Sequence, residues 1–149
     1  MSVLTIDDHD PGCVLCTTPG GQPLAEDGHC RVVLVEGAEA AAFPGYCRVV
    51  WKHHVKEMSD LLPAEQQHVL NVVLTVERVL RRLYAPEKIN LAALGNMTPH
   101  LHWHVIPRWR DDSHFPDAIW APARRAVPPR ATPDAATLKA ALRAEFLKG

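Results

Sequence analysis

The amino-acid sequence predicts an α+β domain, a sheet with one long helix lying across one face. Two observations predict it. Extended, β-branched runs occupy residues 30–36, 46–52, 88–93 and 100–108, and between the second and third of them apolar residues recur every three or four positions over residues 63–84. A chain of 149 residues has room for one such core and buries enough surface to be stable without a disulfide framework.

The elements follow in order. A Gly/Pro-rich stretch at 19–23 precedes the first strand, Cys30-Arg-Val-Val-Leu-Val-Glu36, which Gly37 ends. Small residues at 38–42 lead to the turn pair Pro44-Gly45, and Tyr46-Cys-Arg-Val-Val-Trp-Lys52 reads as a second strand, antiparallel to the first. Ser59 or Asp60 is placed to cap the long helix, and Pro63 suits its first turn, where a missing N–H costs no helical bond. Val69, Val72, Val73, Val76, Val79, Leu80 and Leu83 form its apolar face, and Pro86 follows its end. Residues 88–93 give a third strand, Gly95-Asn96 a turn, and residues 100–108 a fourth strand bracketed by Pro99 and Pro107.

After Trp120 the composition shifts to Ala, Arg and Pro, an extended basic arm over 121–130 that reads as a linker rather than core. Thr132 and Pro133 then open a short helix whose Leu138, Leu142 and Phe146 make a narrow stripe that must dock on the main sheet or on a second subunit. The expected organisation is a main domain over residues 1–121 followed by an arm and helix over residues 122–149.

Sixteen Lys and Arg against 17 Asp and Glu give a net charge of −1, which argues against an extended nucleic-acid footprint and leaves only a small partner. No apolar run reaches the length of a membrane span, and the first residues are acidic where an export signal would be basic; the expectation is a cytoplasmic protein with no membrane partner. Four cysteines in that setting read as thiols or metal ligands, with Cys30 and Cys47 as small core residues inside strands.

Chemistry concentrates in the histidines. In an extended strand His100, His102 and His104 point one way, and Leu101, Trp103 and Val105 the other, so three imidazoles line one wall backed by apolar anchors. Such a row could be a half-exposed polar strand, part of a metal site completed from elsewhere, or a device for phosphoryl chemistry. Imidazole suits the last because it is nucleophilic when neutral near pH 7, and a charged neighbour disfavours its protonation. Donors aimed at non-bridging oxygens and in-line positioning are what that chemistry asks of a protein.

The segment Pro99-His-Leu-His-Trp-His-Val-Ile-Pro-Arg108 resembles the signature of the histidine triad superfamily, and its flanks are similar to those of bacterial dinucleoside polyphosphate hydrolases and phosphorylases. Weaker resemblance runs from Cys13-Val-Leu-Cys16 through Lys52-His-His54 to Pro107. The resemblance implies a five-stranded antiparallel sheet with one long helix on it, a homodimer, and a catalytic unit within residues 1–121. It implies hydrolysis or transfer at the α-phosphate of a nucleotide, dinucleoside polyphosphates being favoured over the phosphoramidates of the alternative reading. A non-catalytic nucleotide-binding or adaptor module is the third possibility. His102 would be the nucleophile that carries the nucleotidyl group, His104 would donate to α-phosphate oxygens, and His100 would orient the neighbouring ring. No cofactor is required for that chemistry.

The same resemblance assigns substrate contacts. Asn90 matches an Asn or Gln near the phosphates, although it stands about one residue closer to the triad than in relatives; its other reading is an edge-strand Asn. Asn96 matches a Gln of the turn, where Gly-Asn is also a common turn pair. Met97 departs from the Ser or Thr that helps protonate the leaving group, and Thr98 stands one position late, which favours good leaving groups such as nucleotides. Glu36, or alternatively Glu39, would accept from the ribose hydroxyls, with Val32 and Leu34 flanking the base or filling the core. Cys13, Cys16, His54 and His100 resemble a structural zinc set, a pair of plain thiols being the other reading. The segment from Arg108 to Trp120 is placed at the dimer interface in relatives, or covers its own sheet edge, and the arginines of 124–130 either attract polyphosphate or are solvated.

Overall fold

The computed structural model describes residues 9–148. Strands β1 (Gln22–Glu26), β2 (Cys30–Leu34), β3 (Cys47–Trp51), β4 (Lys88–Ala92) and β5 (His102–Arg108) form one antiparallel sheet in the order β1-β2-β3-β5-β4. The helices are α1 (Val14–Thr17), α2 (Ala38–Ala42), α3 (Pro63–Tyr84) and α4 (Ala135–Leu147), with a 3₁₀ turn over Met58–Asp60. The α+β class, the five-stranded antiparallel sheet, the long helix and the C-terminal helix stand as expected.

The main core lies between the sheet and α3. Strand alternation sends Cys30, Val32, Cys47, Val49, Trp51 and Val105 to that face, where they meet Val69, Val72, Val73, Val76 and Leu80, all buried. Val32 is therefore core, and Leu34 packs beside it. Burial pushes the Cys30 and Cys47 thiols up to about 12, in keeping with inert core cysteines. The α4 helix docks on its own chain, against β1 and α3: Leu138 and Leu142 are 0% exposed and share the cluster with Leu24 and Ala25.

Several boundaries differ from the sequence reading, each for a physical reason. The strand β1 begins inside what reads as punctuation. It tolerates Pro23 because it is an edge strand, and Gly21 precedes it because a Cβ there would collide with the Leu34 carbonyl oxygen. The β2 ladder stops at Leu34, although the Val35 N–H still donates to the Tyr46 carbonyl (2.9 Å). β5 starts at His102 because the His100 and Leu101 amides donate to the Thr98 and Val55 carbonyls instead of to a strand (2.8 and 2.7 Å).

Neither Ser59 nor Asp60 caps α3. Asp60 Oδ2 accepts from the Glu57 amide at the 3₁₀ turn (3.0 Å), whereas Leu62 is the helix cap and its amide donates to Glu65 Oε1 (2.8 Å). The last helix begins at Ala135 and not at Thr132 or Pro133, since Asp134 Oδ1 takes the Thr137 N–H (2.9 Å).

The arm over residues 121–130 has no regular structure but is tied down along its length. Arg124 pairs with Asp117 (2.7 Å), Arg125 donates to the Asp112 and Phe115 carbonyls (2.6 and 3.0 Å), and Arg130 pairs with Asp111 while lying 4.4 Å over the Trp109 ring. Its guanidiniums thus serve the chain itself. The acidic start at residues 1–8 and the Glu39 side chain lie outside the described residues. Among the described residues no helix is long and apolar enough to cross a membrane.

Candidate active site

The face of the sheet opposite α3 carries the histidines. On β5, Trp103 and Val105 turn toward α3, and His102, His104, Ile106 and Arg108 turn away. The register sets Val50 and Arg48 of β3 opposite His102 and His104, and Asn90 of β4 opposite Ile106, so all of these share the histidine face.

The His102 and His104 rings stand edge to face, centroids 4.9 Å apart and planes at 83°. His102 Nδ1 lies 2.6 Å from the His100 carbonyl oxygen. A carbonyl only accepts, so Nδ1 carries the proton and Nε2 keeps its lone pair. His104 Nδ1 lies 2.6 Å from the Tyr46 hydroxyl, and the Trp120 indole stands 5.2 Å from the His104 ring at 68°.

Electrostatics keep both rings neutral. Burial lowers the His102 pKa below the ordinary imidazole value, and the Arg48 guanidinium adds to the effect against a counter-pull from the His100 carbonyl. Burial, then His102 and Arg48, pushes His104 down to about 3. Arg48 also brings a fixed positive charge to the face where an anionic substrate would lie, while donating to the Gly20 carbonyl (3.0 Å).

His100 stands apart from this pair. It lies on the same side of the sheet, but its ring is held under the α1 knuckle, so two imidazoles and not three form the wall. Cys13 Sγ and Cys16 Sγ lie 3.4 and 3.5 Å from His100 Nδ1, His54 Nδ1 lies 3.3 Å from it, and Cys16 Sγ lies 3.5 Å from His54 Nδ1. All four ligand atoms fall within 4.8 Å of one another. The outer nitrogen, His100 Nε2, is 2.5 Å from the Trp51 carbonyl oxygen, the kind of support that orients a metal-ligating imidazole.

The expected substrate contacts are scattered around the pair. Asn90 shares its face, and its Oδ1 accepts from Arg108 Nη1 (2.8 Å), which leaves its NH₂ group as the donor available to a ligand. Asn96 is exposed in the turn before the triad, Thr98 is half-buried there, and Met97 is 97% exposed. Glu36 is exposed beyond the end of β2.

Three neighbours of the triad escape a linear reading of the chain. Tyr46 immediately precedes β3 and Arg48 lies within it, and the alternation of Tyr46, Arg48 and Val50 against Cys47, Val49 and Trp51 was the available signal. Trp120 is delivered by a strap over residues 109–121. The strap hangs from the last residue of β5, where the buried Arg108 pairs with Asp112 (2.8 Å) and donates to the Asp117 carbonyl (2.8 Å).

Comparison with known proteins agrees with this architecture. A histidine triad protein from Marinobacter aquaeolei superposes with a TM-score of 0.68 at 27% identity, covering 87% of this chain and 91% of that one. A zinc-bound histidine triad family protein from Mycobacterium smegmatis shares the fold at 21% identity, with a TM-score of 0.64, covering 93% and 98% of the two chains. The AP-4-A phosphorylase of Mycobacterium tuberculosis (strain CDC 1551 / Oshkosh) is 32% identical over 67 residues, 41% of this chain, which spans about a third (34%) of that protein's length. The HIT domain profile matches residues 22–111, from the first strand through the histidine strand and well over half of the sequence, and the chain belongs to the HIT domain family.

Proposed function

We propose that this protein cleaves the α-phosphate linkage of dinucleoside polyphosphates through a nucleotidyl-histidine intermediate on His102. The observation that carries the reading is the 2.6 Å contact of His102 Nδ1 with the His100 carbonyl, which commits the Nδ1–H and leaves the Nε2 lone pair to attack. As Nε2 forms a bond to the α-phosphorus, the bridging P–O bond breaks with its electron pair and the remaining nucleotide leaves. Water or inorganic phosphate then attacks the phosphorus, the P–N bond breaks, and the imidazole is restored as the incoming group gives up a proton.

His104 donates to the non-bridging oxygens, Arg48 supplies positive potential, and the Asn90 amide points a donor at the phosphate chain. Thr98, half-buried, is the hydroxyl adjacent in sequence to Met97, which has none; Asn96 lines the same turn, and Glu36 is the carboxylate assigned to the ribose. A partial likeness to AP-4-A phosphorylase supports the dinucleoside class and makes phosphate a candidate acceptor.

The four residues Cys13, Cys16, His54 and His100 fit zinc. A tetrahedron with Zn–S about 2.3 Å and Zn–N about 2.05 Å has S···N edges of about 3.5 Å and N···N edges of about 3.3 Å, and the chain shows 3.4–3.5 Å and 3.3 Å. Four protein ligands leave no position for substrate, so the ion would cross-link the knuckle to the segment before β5.

The test is turnover of diadenosine tetraphosphate with and without phosphate. Hydrolysis gives a monophosphate and a triphosphate, and phosphorolysis gives a diphosphate. Mass spectrometry of a quenched reaction should find the nucleotidyl adduct on a peptide containing residues 100–104, and His102→Ala should lose roughly a thousandfold or more of the rate while still binding nucleotide. Full activity in that variant would sink the assignment.

A further inference from the structure

The hydroxyl of Tyr46 has no part in the chemistry above, yet among the described residues it is the polar group found in contact with the inner nitrogen of His104. It comes from the residue just before β3, beside the Pro44-Gly45 turn, and is clamped there: Tyr46 is 0% exposed and packs with Val35, Phe43, Ile106 and Ile119. Its amide donates to the Phe43 carbonyl (3.2 Å) and its own carbonyl takes the Val35 N–H (2.9 Å). The phenol therefore has little freedom to move away from the 2.6 Å contact with His104 Nδ1.

From this geometry we infer that Tyr46 is a positioning residue whose hydroxyl donates to His104 Nδ1, holding His104 with its proton on Nε2 so that it presents a donor to the α-phosphate. The inference rests on the nucleotidyl-transfer reading and deepens it.

Two considerations support the direction of the bond at this 2.6 Å contact. A phenol is far more acidic than a neutral imidazole N–H, so it is the better donor of the two. Finally, the Arg48 guanidinium lies 5.7 Å over the Tyr46 ring, and a cation there makes the phenol more willing to give its proton and the imidazole less willing to take a second one.

The consequence is a pair of neighbouring imidazoles locked in opposite tautomers by two different partners. The His100 carbonyl forces the His102 proton onto Nδ1 and leaves a lone pair on Nε2; the Tyr46 hydroxyl fills His104 Nδ1 and leaves a proton on Nε2. An approaching α-phosphate would then meet one nucleophile and one donor side by side, with no proton to be moved first.

The experiment is ¹⁵N NMR of the full chain labelled at histidine, with the His104 signals assigned from a His104→Gln variant. At pH 7 the wild type should show His104 protonated at Nε2 and bare at Nδ1. Tyr46→Phe, which keeps the ring and its packing, should shift His104 toward a mixture of tautomers and lower kcat on diadenosine tetraphosphate by about 10- to 100-fold. A wild-type His104 protonated at Nδ1 would overturn the inference by itself, whether or not the variant folds, and so would a Tyr46→Phe spectrum identical to wild type. Absence of any nucleotide turnover with the tautomers as described would remove the nucleotidyl-transfer reading and leave the assignment of Tyr46 standing.

Discussion

His104 shows what a buried side chain does to the pH dependence of the whole chain. Its ring is 6% exposed and its pKa is pushed down to about 3, whereas in the unfolded chain it titrates near 6.5. Between those two values the unfolded chain holds a proton on this ring that the folded chain does not. Stability therefore falls as pH drops below about 6.5, with a slope from this group approaching about 1.4 kcal/mol per pH unit. Urea melts at a series of pH values should show that slope, and His104→Gln should reduce it. An equal slope in the variant would refute the assignment. The alternating histidines were legible because period two needs only the strand itself, and the facing of Leu101, Trp103 and Val105 followed from it. Tyr46 and Arg48 were not legible as partners. They lie 56 to 58 positions from His104, and only the β3–β5 register brings them to it.

At the scale of elements, the strap and the last helix carry separate expectations. Arg108 and Asp112 are both nearly inaccessible, and burial alone would raise the Asp112 carboxyl; Arg108 and the His114, Trp109 and Phe115 amides outweigh it and hold it low. Removing the carboxylate charge leaves a buried guanidinium uncompensated, so Asp112→Ala should cost about 3–5 kcal/mol in chemical denaturation. It should also release Trp120 from His104, seen as the loss of ring-current shifts on the imidazole. Leu138→Ala should cost about 2–5 kcal/mol, independent of protein concentration, because α4 docks on its own chain. A concentration-dependent loss would mean that it docks on another copy. The α3 helix was readable to its ends from seven spaced apolar residues with Pro63 and Pro86 around them. The β1 strand was not, because an edge strand of five residues with a proline in it has too little alternation to separate from a turn, and the cap of α3 was missed because a bond from the Leu62 amide to Glu65 Oε1 stands in for the usual polar cap.

For the whole molecule, the knuckle of α1 ties the N-terminal side of the chain to the root of the histidine strand. A strong chelator should lower the thermal midpoint of purified protein by several degrees, and elemental analysis should find close to one zinc per chain. A protein free of zinc with an unaltered midpoint would return Cys13 and Cys16 to a plain thiol pair. The sheet ends in β4, whose free edge bears Leu91 and, just beyond it, Leu94, 40% and 52% exposed. A second copy pairing along that edge would account for both, and sedimentation at micromolar concentration should give a dimer. The Cys-His set and the architecture were foreseeable from local motifs and from resemblance. The withdrawal of the His100 ring from the His102–His104 wall was not, since it depends on where the chain enters β5. One more consequence comes from Trp120, the most exposed of the four indoles, at 48%. It alone combines water contact with an imidazole at 5.2 Å, so its emission should change when a nucleotide arrives while the other three stay dark to the event. The protein carries an optical reporter of its own occupancy, and a fluorescence titration would read affinity without any label.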